Sequence, residues 1–143
     1  MTLSKVDERC FVCGMANPAG LHVSFTIDKE TQAASAHLSL KDEYQGWSGI
    51  VHGGILSTLL DEVCMHAART IGDQMVTAEI TVRYKKPVPV GSEIFLQGRV
   101  VGLHKRLVLA EGTIELSGTL MAEAEAKIFC LNKSWSSKNS TAD

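Results

Sequence analysis

The sequence predicts an α+β domain in which a six-stranded antiparallel sheet curves around one long helix. Three observations carry this. Only residues 53–70 space their apolar side chains at the i, i+3, i+4, i+7 interval of a helix face. On either side the chain alternates apolar and polar residues with the period of half-buried strands, in two stretches before the helix and four after it. Gly, Pro, Asn and Asp gather between these stretches, where turns belong. One apolar helix is covered by six antiparallel strands only if the sheet bends round it.

In chain order, residues 10–21, reading CFVCGMANPAGL, form an ordered loop punctuated by Gly14, Asn17, Pro18 and Gly20. Leu21, Val23, Phe25 and Ile27 then alternate with His22, Ser24 and Thr26. After a turn at residues 28–32, Ala34, Ala36, Leu38 and Leu40 alternate with Ser35, His37 and Ser39. These are two strands. The helix follows, with Leu56, Leu59, Leu60, Val63 and Ala67 on one face and Gly72 and Asp73 as its stop. Alternation resumes over residues 76–84, 94–101, 107–116 and 120–130, and the turns PVPVG, GLHKR and SGT imply that these four strands form an antiparallel meander. Residues 1–131 make a single domain, and residues 132–143, polar and poor in apolar side chains, are expected to be a disordered tail.

The bulk properties exclude several functions. A 143-residue chain with 45% hydrophobic and 21% charged residues suits one globular domain. Net charge −2 and a pI near 6.2 argue against nucleic acid or an anionic membrane as main partner, so any basic site is local. No apolar run reaches the roughly 18–20 residues of a membrane span, and residues 1–9 lack the apolar core of a secretory leader, so a cytoplasmic location is expected. Cys10 and Cys13 form a C-x-x-C, whereas Cys64 and Cys130 stand alone in apolar segments, which is not a disulfide framework. Tetrahedral zinc wants four ligands and the sequence shows no second close pair, so no metal is expected.

The helix carries the chemistry. With Leu56 at 0° and about 100° per residue, Asp61 falls near 140° and Glu62 near 240°. Glu62 shares its side with Thr58, His66 and Arg69, a polar face offering partners. Asp61 shares its side with Ser57, Cys64, Met65 and Ala68, which offer no cation. From spacing alone Asp61 reads either as a solvated helix residue or as a functional carboxylate. Before it stands His52-Gly53-Gly54. Glycines in a first helical turn leave unpaired amides open to a ligand, at the positive end of the dipole, which suits an oxyanion or phosphate; they serve a tight turn without a ligand equally well.

His-Gly-Gly, an apolar run and an acid nine places after the His resemble the signature of hotdog-fold acyl-CoA thioesterases of the PaaI-like type. CFVCGMANPAGL is similar to the opening of many members, and YKKPVPVG at residues 84–91 to their strand exit. The resemblance implies hydrolysis of a short- or medium-chain or aromatic acyl-CoA, with coenzyme A as part of the substrate and no other cofactor. It implies subunits that join their sheets edge to edge, as a homodimer or a dimer of dimers. It implies that the Gly53 N–H polarises the thioester carbonyl, that Asp61 is nucleophile or general base, and that His52 is an orienting residue. Gly54 and Ser57 adjoin that site. Some members use a hydroxyl on the next strand, which Thr77 matches while also reading as an ordinary strand residue that shares a face with Glu79, Thr81 and Arg83. Where many members carry Gln or Asn six places before the His, this chain has Gly46, with Gln45 one residue earlier. For the coenzyme A phosphates the available cations are Arg83, Lys85, Lys86, Lys105 and Arg106.

Spacing adds one constraint of its own. Gly53 and Asp61 are eight residues apart on one helix, hence about 12 Å apart at roughly 1.5 Å per residue. To act on one thioester they must come from different chains, with two helices running antiparallel. The chief rival reading is a protein that grips acyl-CoA without turning it over. A hydratase on the same fold would need a His and an acid in one slot, and His52 lies too far from Asp61 in its own chain.

Overall fold

The computed structural model describes residues 8–131. Within them, β1 is Thr26–Asp28, β2 Ala33–Ser39, α1 Gly53–Ala68, β3 Met75–Tyr84, β4 Glu93–His104, β5 Leu107–Leu116 and β6 Thr119–Cys130. One six-stranded antiparallel sheet runs β1-β2-β4-β5-β6-β3, with α1 packed against β2 through β6. This is the curved sheet wrapped on a central helix that the sequence predicts. The polar tail lies outside the described residues.

Two expectations about the strands need correction. The first alternating stretch, residues 21–27, becomes a ladder only at Thr26–Asp28. Its upstream half instead donates from Leu21 and Val23 to the carbonyls of Phe11 and Val12, so the C-x-x-C loop takes the place of a neighbouring strand. The last four strands are not one meander. β4, β5 and β6 are, but β3 pairs with β6 and β4 with β2. The connection after β3 contains Pro87 and Pro89, which have no amide for a hairpin ladder. Its available amides are used across the sheet end, where Lys85 and Lys86 donate to Met121 O at 2.8 and 3.0 Å.

The helix face read from the sequence is the core: Leu56, Leu59, Leu60, Val63 and Ala67 are all buried. The sheet approaches the helix most closely at Gly98 of β4 and Gly112 of β5, which are direct cross-strand partners. A Cβ on Gly98 would lie 2.8 Å from Val63 O, and one on Gly112 would lie 3.1 Å from Cys64 Sγ. Side chains at this pair would push the sheet off the helix. A bulge between Thr77 and Glu79 breaks the phase of β3. Thr77 therefore does not share the face of Glu79, Thr81 and Arg83; it turns toward α1 with the partly buried Ile80 and Val82.

Candidate active site

The start of α1 is held from several sides. His52 caps it, its Nδ1 accepting the Gly54 N–H at 2.8 Å, while its own N–H donates to Tyr44 O at 2.8 Å. Gly46 lies against the other side of the ring, where a Cβ would sit 3.3 Å from His52 atoms. Val51 N–H donates to Val88 O at 2.8 Å, tying this approach to the connection after β3. His52 thus orients the first turn and consumes the Gly54 amide. Among the described residues the Gly53 N–H has no acceptor, as expected of a first helical residue.

Tyr84, the last residue of β3, reaches back to this turn. Its hydroxyl donates to Gly53 O at 3.0 Å and also meets the Ser57 hydroxyl. Beside them opens a cavity of about 890 Å³ whose walls include Trp47, His52, Gly53, Tyr84, Lys85 and Lys86. Trp47 is 88% exposed at its margin, an unusual position for so large an apolar ring. Sequence reading missed Tyr84 and Trp47 as site residues. Tyr84 carried a signal, as the last strand residue before the KKP turn; Trp47 carried none, because its exposure is a tertiary fact.

Asp61 sits two turns along α1 and does not line that cavity. It is not without a partner: the Thr77 hydroxyl donates to Asp61 Oδ1 at 2.7 Å in a partly buried setting. Cys64, which the helical wheel puts on the side of Asp61, is fully buried and turned to Gly112. Burial, with the charges of Asp61 and Glu111, pushes its thiol up to about 12, so it is no nucleophile. Glu62 faces elsewhere, as the helical wheel requires. His66 Nε2 lies 3.0 Å from Glu62 Oε2, and Cys10 Sγ donates to the same oxygen at 3.5 Å. Burial works to raise the Glu62 carboxyl, but the His66 ring and the thiols of Cys13 and Cys10 outweigh it and hold it below the usual range.

The remaining candidates are dispersed. Gln45 Oε1 accepts the Gly49 N–H at 2.9 Å and so closes its own loop; Gln45 does not line the cavity at Gly53. Arg83 and Lys85 pair with Glu125 and Glu123 across β3 and β6, at 3.3 and 3.6 Å, whereas Lys86 has no ion-pair partner among the described residues. Lys105 and Arg106 occupy the β4–β5 turn, and Arg106 donates to Leu131 O at 3.0 Å. That turn lies beside the β6 end that pairs with the start of β3, so within one chain it is at the opposite end of the sheet from Lys85 and Lys86.

Comparison with known proteins identifies the family. The family model described as the thioesterase superfamily matches residues 48–123, a stretch that holds His52, Gly53, Asp61, Thr77 and Tyr84. An 82-residue stretch is 29% identical to the acyl-coenzyme A thioesterase THEM4 of Xenopus laevis, covering 57% of this chain and 37% of that protein. The chain spans about a third to about a half of the length of the curated relatives it matches. The crystal structure of a thioesterase superfamily protein aligns with a TM-score of 0.79 at 27% identity, over 86% of this chain and 60% of that one. A Streptococcus mutans protein solved with acetyl CoA bound shares the fold, with a TM-score of 0.69 at 19% identity over 75% of this chain and 86% of that one. With the family model spanning more than half of its residues, and with one helix clasped in a curved antiparallel sheet, the chain belongs to the thioesterase superfamily.

Proposed function

We propose that this protein is an acyl-CoA thioesterase whose catalytic slots lie between two subunits, each slot combining the Gly53 end of one α1 with Asp61 of the other. The observation that carries this reading is the separation of two prepared groups. An amide without an acceptor opens on a large cavity at Gly53, and a carboxylate fixed by Thr77 lies about 12 Å further along the same helix. The acetyl CoA bound by the Streptococcus mutans protein of the same fold supports the choice of substrate class.

In the reaction, the thioester carbonyl oxygen accepts the Gly53 N–H, at the positive end of the helix dipole. With Asp61 as general base, the carboxylate takes a proton from water as the water oxygen attacks the carbonyl carbon. The carbon–sulfur bond then breaks, and the coenzyme A sulfur leaves and is protonated, giving free acid and thiol. Thr77 holds Oδ1 and leaves Oδ2 free to act. Lys85 and Lys86 at the cavity wall suit the phosphates, and the Trp47 ring offers a stacking face for the base.

A pairing surface is available for the partner. β3 is an edge strand of ten residues, long enough to template a second sheet, and it carries Tyr84, which is 52% exposed. Release of free thiol across a panel of short, medium and aromatic acyl-CoAs tests the proposal and ranks the acyl groups. Tight binding of acyl-CoA with no thiol release would replace it with the non-catalytic binding protein.

A further inference from the structure

Cys10 and Cys13 lie against the Glu62 side of α1, in a loop closed by Gly14. The Gly14 N–H donates to Cys10 O at 2.9 Å, and a Cβ on Gly14 would sit 2.3 Å from both Cys10 N and Glu8 O, so only glycine closes this turn. The turn presents both thiols to Glu62, from a position 52 residues away in the chain. The two sulfurs and a Glu62 oxygen all lie within 4.8 Å of one another, and all three residues are partly exposed. His66 Nε2 bonds the same carboxylate at 3.0 Å, and its ring is stacked on Phe25 with centroids 4.4 Å apart.

We propose that Cys10, Cys13 and Glu62 bind a zinc ion that staples the N-terminal loop to α1. Tetrahedral zinc with bonds of about 2.3 Å to sulfur and about 2.0–2.2 Å to oxygen separates a thiolate from a carboxylate ligand by about 3.5 Å. The Cys10 to Glu62 separation is 3.5 Å. Two soft thiolates with one carboxylate select zinc over magnesium or calcium. His66 orients the carboxylate, as imidazole partners of metal-ligating carboxylates do, and water completes the four-fold shell. The partly exposed position gives the ion a way in. Hydrogen bonds of Leu21 to Phe11 and of Val23 to Val12 join the two limbs of the loop, and the ion would tie the loop to α1 as well.

The test uses the full chain expressed with added zinc. Metal content by mass spectrometry is expected to be one zinc per chain, and cobalt exchanged for it should show the thiolate-to-cobalt charge-transfer absorption. Cys10→Ser and Cys13→Ser should each lose the metal and that absorption. His66→Ala should weaken zinc affinity about 10- to 100-fold, as loss of an orienting partner does. A chelator should lower the melting temperature of the wild type and leave that of Cys10→Ser unchanged, with circular dichroism confirming that the variant is folded. Wild-type protein that has titratable reduced thiols and takes up neither zinc nor cobalt overturns the proposal. So does metal retained at full affinity by both serine variants.

Discussion

The Thr77 hydroxyl reaches Asp61 Oδ1 at 2.7 Å because a bulge at the start of β3 turns Thr77 from the outer face of the sheet to the face that holds α1. Asp61→Asn keeps the shape of the side chain and removes the base, so it should abolish thiol release while leaving the circular dichroism spectrum and acyl-CoA binding intact. Thr77→Val removes one hydrogen bond to a charged group, an effect of about 1.5–3 kcal/mol, and should lower kcat roughly 10- to 100-fold. Thr77→Ser should restore most of it. A Thr77→Val enzyme with full kcat would show that the carboxylate is held by something else.

Tyr84 ties the end of β3 to the first turn of α1 through Gly53 O and Ser57. Tyr84→Phe fills the same space without the hydroxyl and should destabilise the fold by about 0.5–1.5 kcal/mol for each bond lost, read from the denaturant midpoint. It should also reduce kcat, because the Gly53 turn is then less firmly placed.

Subunit exchange tests the shared slot. A Cβ at Gly53 would meet the Tyr84 ring at 3.5 Å, an ordinary contact, so the crowding in Gly53→Val comes from its branched methyls in the cavity. Asp61→Asn and Gly53→Val chains are each expected to be inactive. After random exchange, about half the dimers are mixed, and each mixed dimer has one intact slot of two, so activity should return to about a quarter of wild type. A mixture that stays inactive after verified exchange rules the shared slot out.

Glu62 sets an acid limit to stability. Its carboxyl lies below its usual value of 4.5 in the folded protein. The stability it contributes is therefore fully present above that value and is lost as pH falls through the lower folded one. The melting-temperature gap between metal-free wild type and Glu62→Gln should shrink as pH falls below about 4.5. A gap that does not change with pH would mean that the Glu62 charge is not what stabilises.

The sequence by itself determined the fold class, the helix, its buried face and the separation of Asp61 from Glu62, because periodicities of 3.6 and 2 are local properties of the chain. The same locality accounts for Gly53, Gly54 and His52 at the helix start, where cap chemistry is read over a few residues. Only the tertiary structure decided which strands are neighbours. Alternation marks β3 as a strand but does not say that it lies beside β6, at a free edge of the sheet. Only the folded chain set the bulge that turns Thr77 inward, since a single extra residue in a strand leaves the pattern on both sides of it unchanged. The Cys10, Cys13 and Glu62 cluster is of the same kind: one close pair of thiols reads as too few ligands for a metal until folding brings a carboxylate from 52 residues away to 3.5 Å. Contacts between distant segments depend on how the whole sheet closes over the helix, and no window along the chain contains that information.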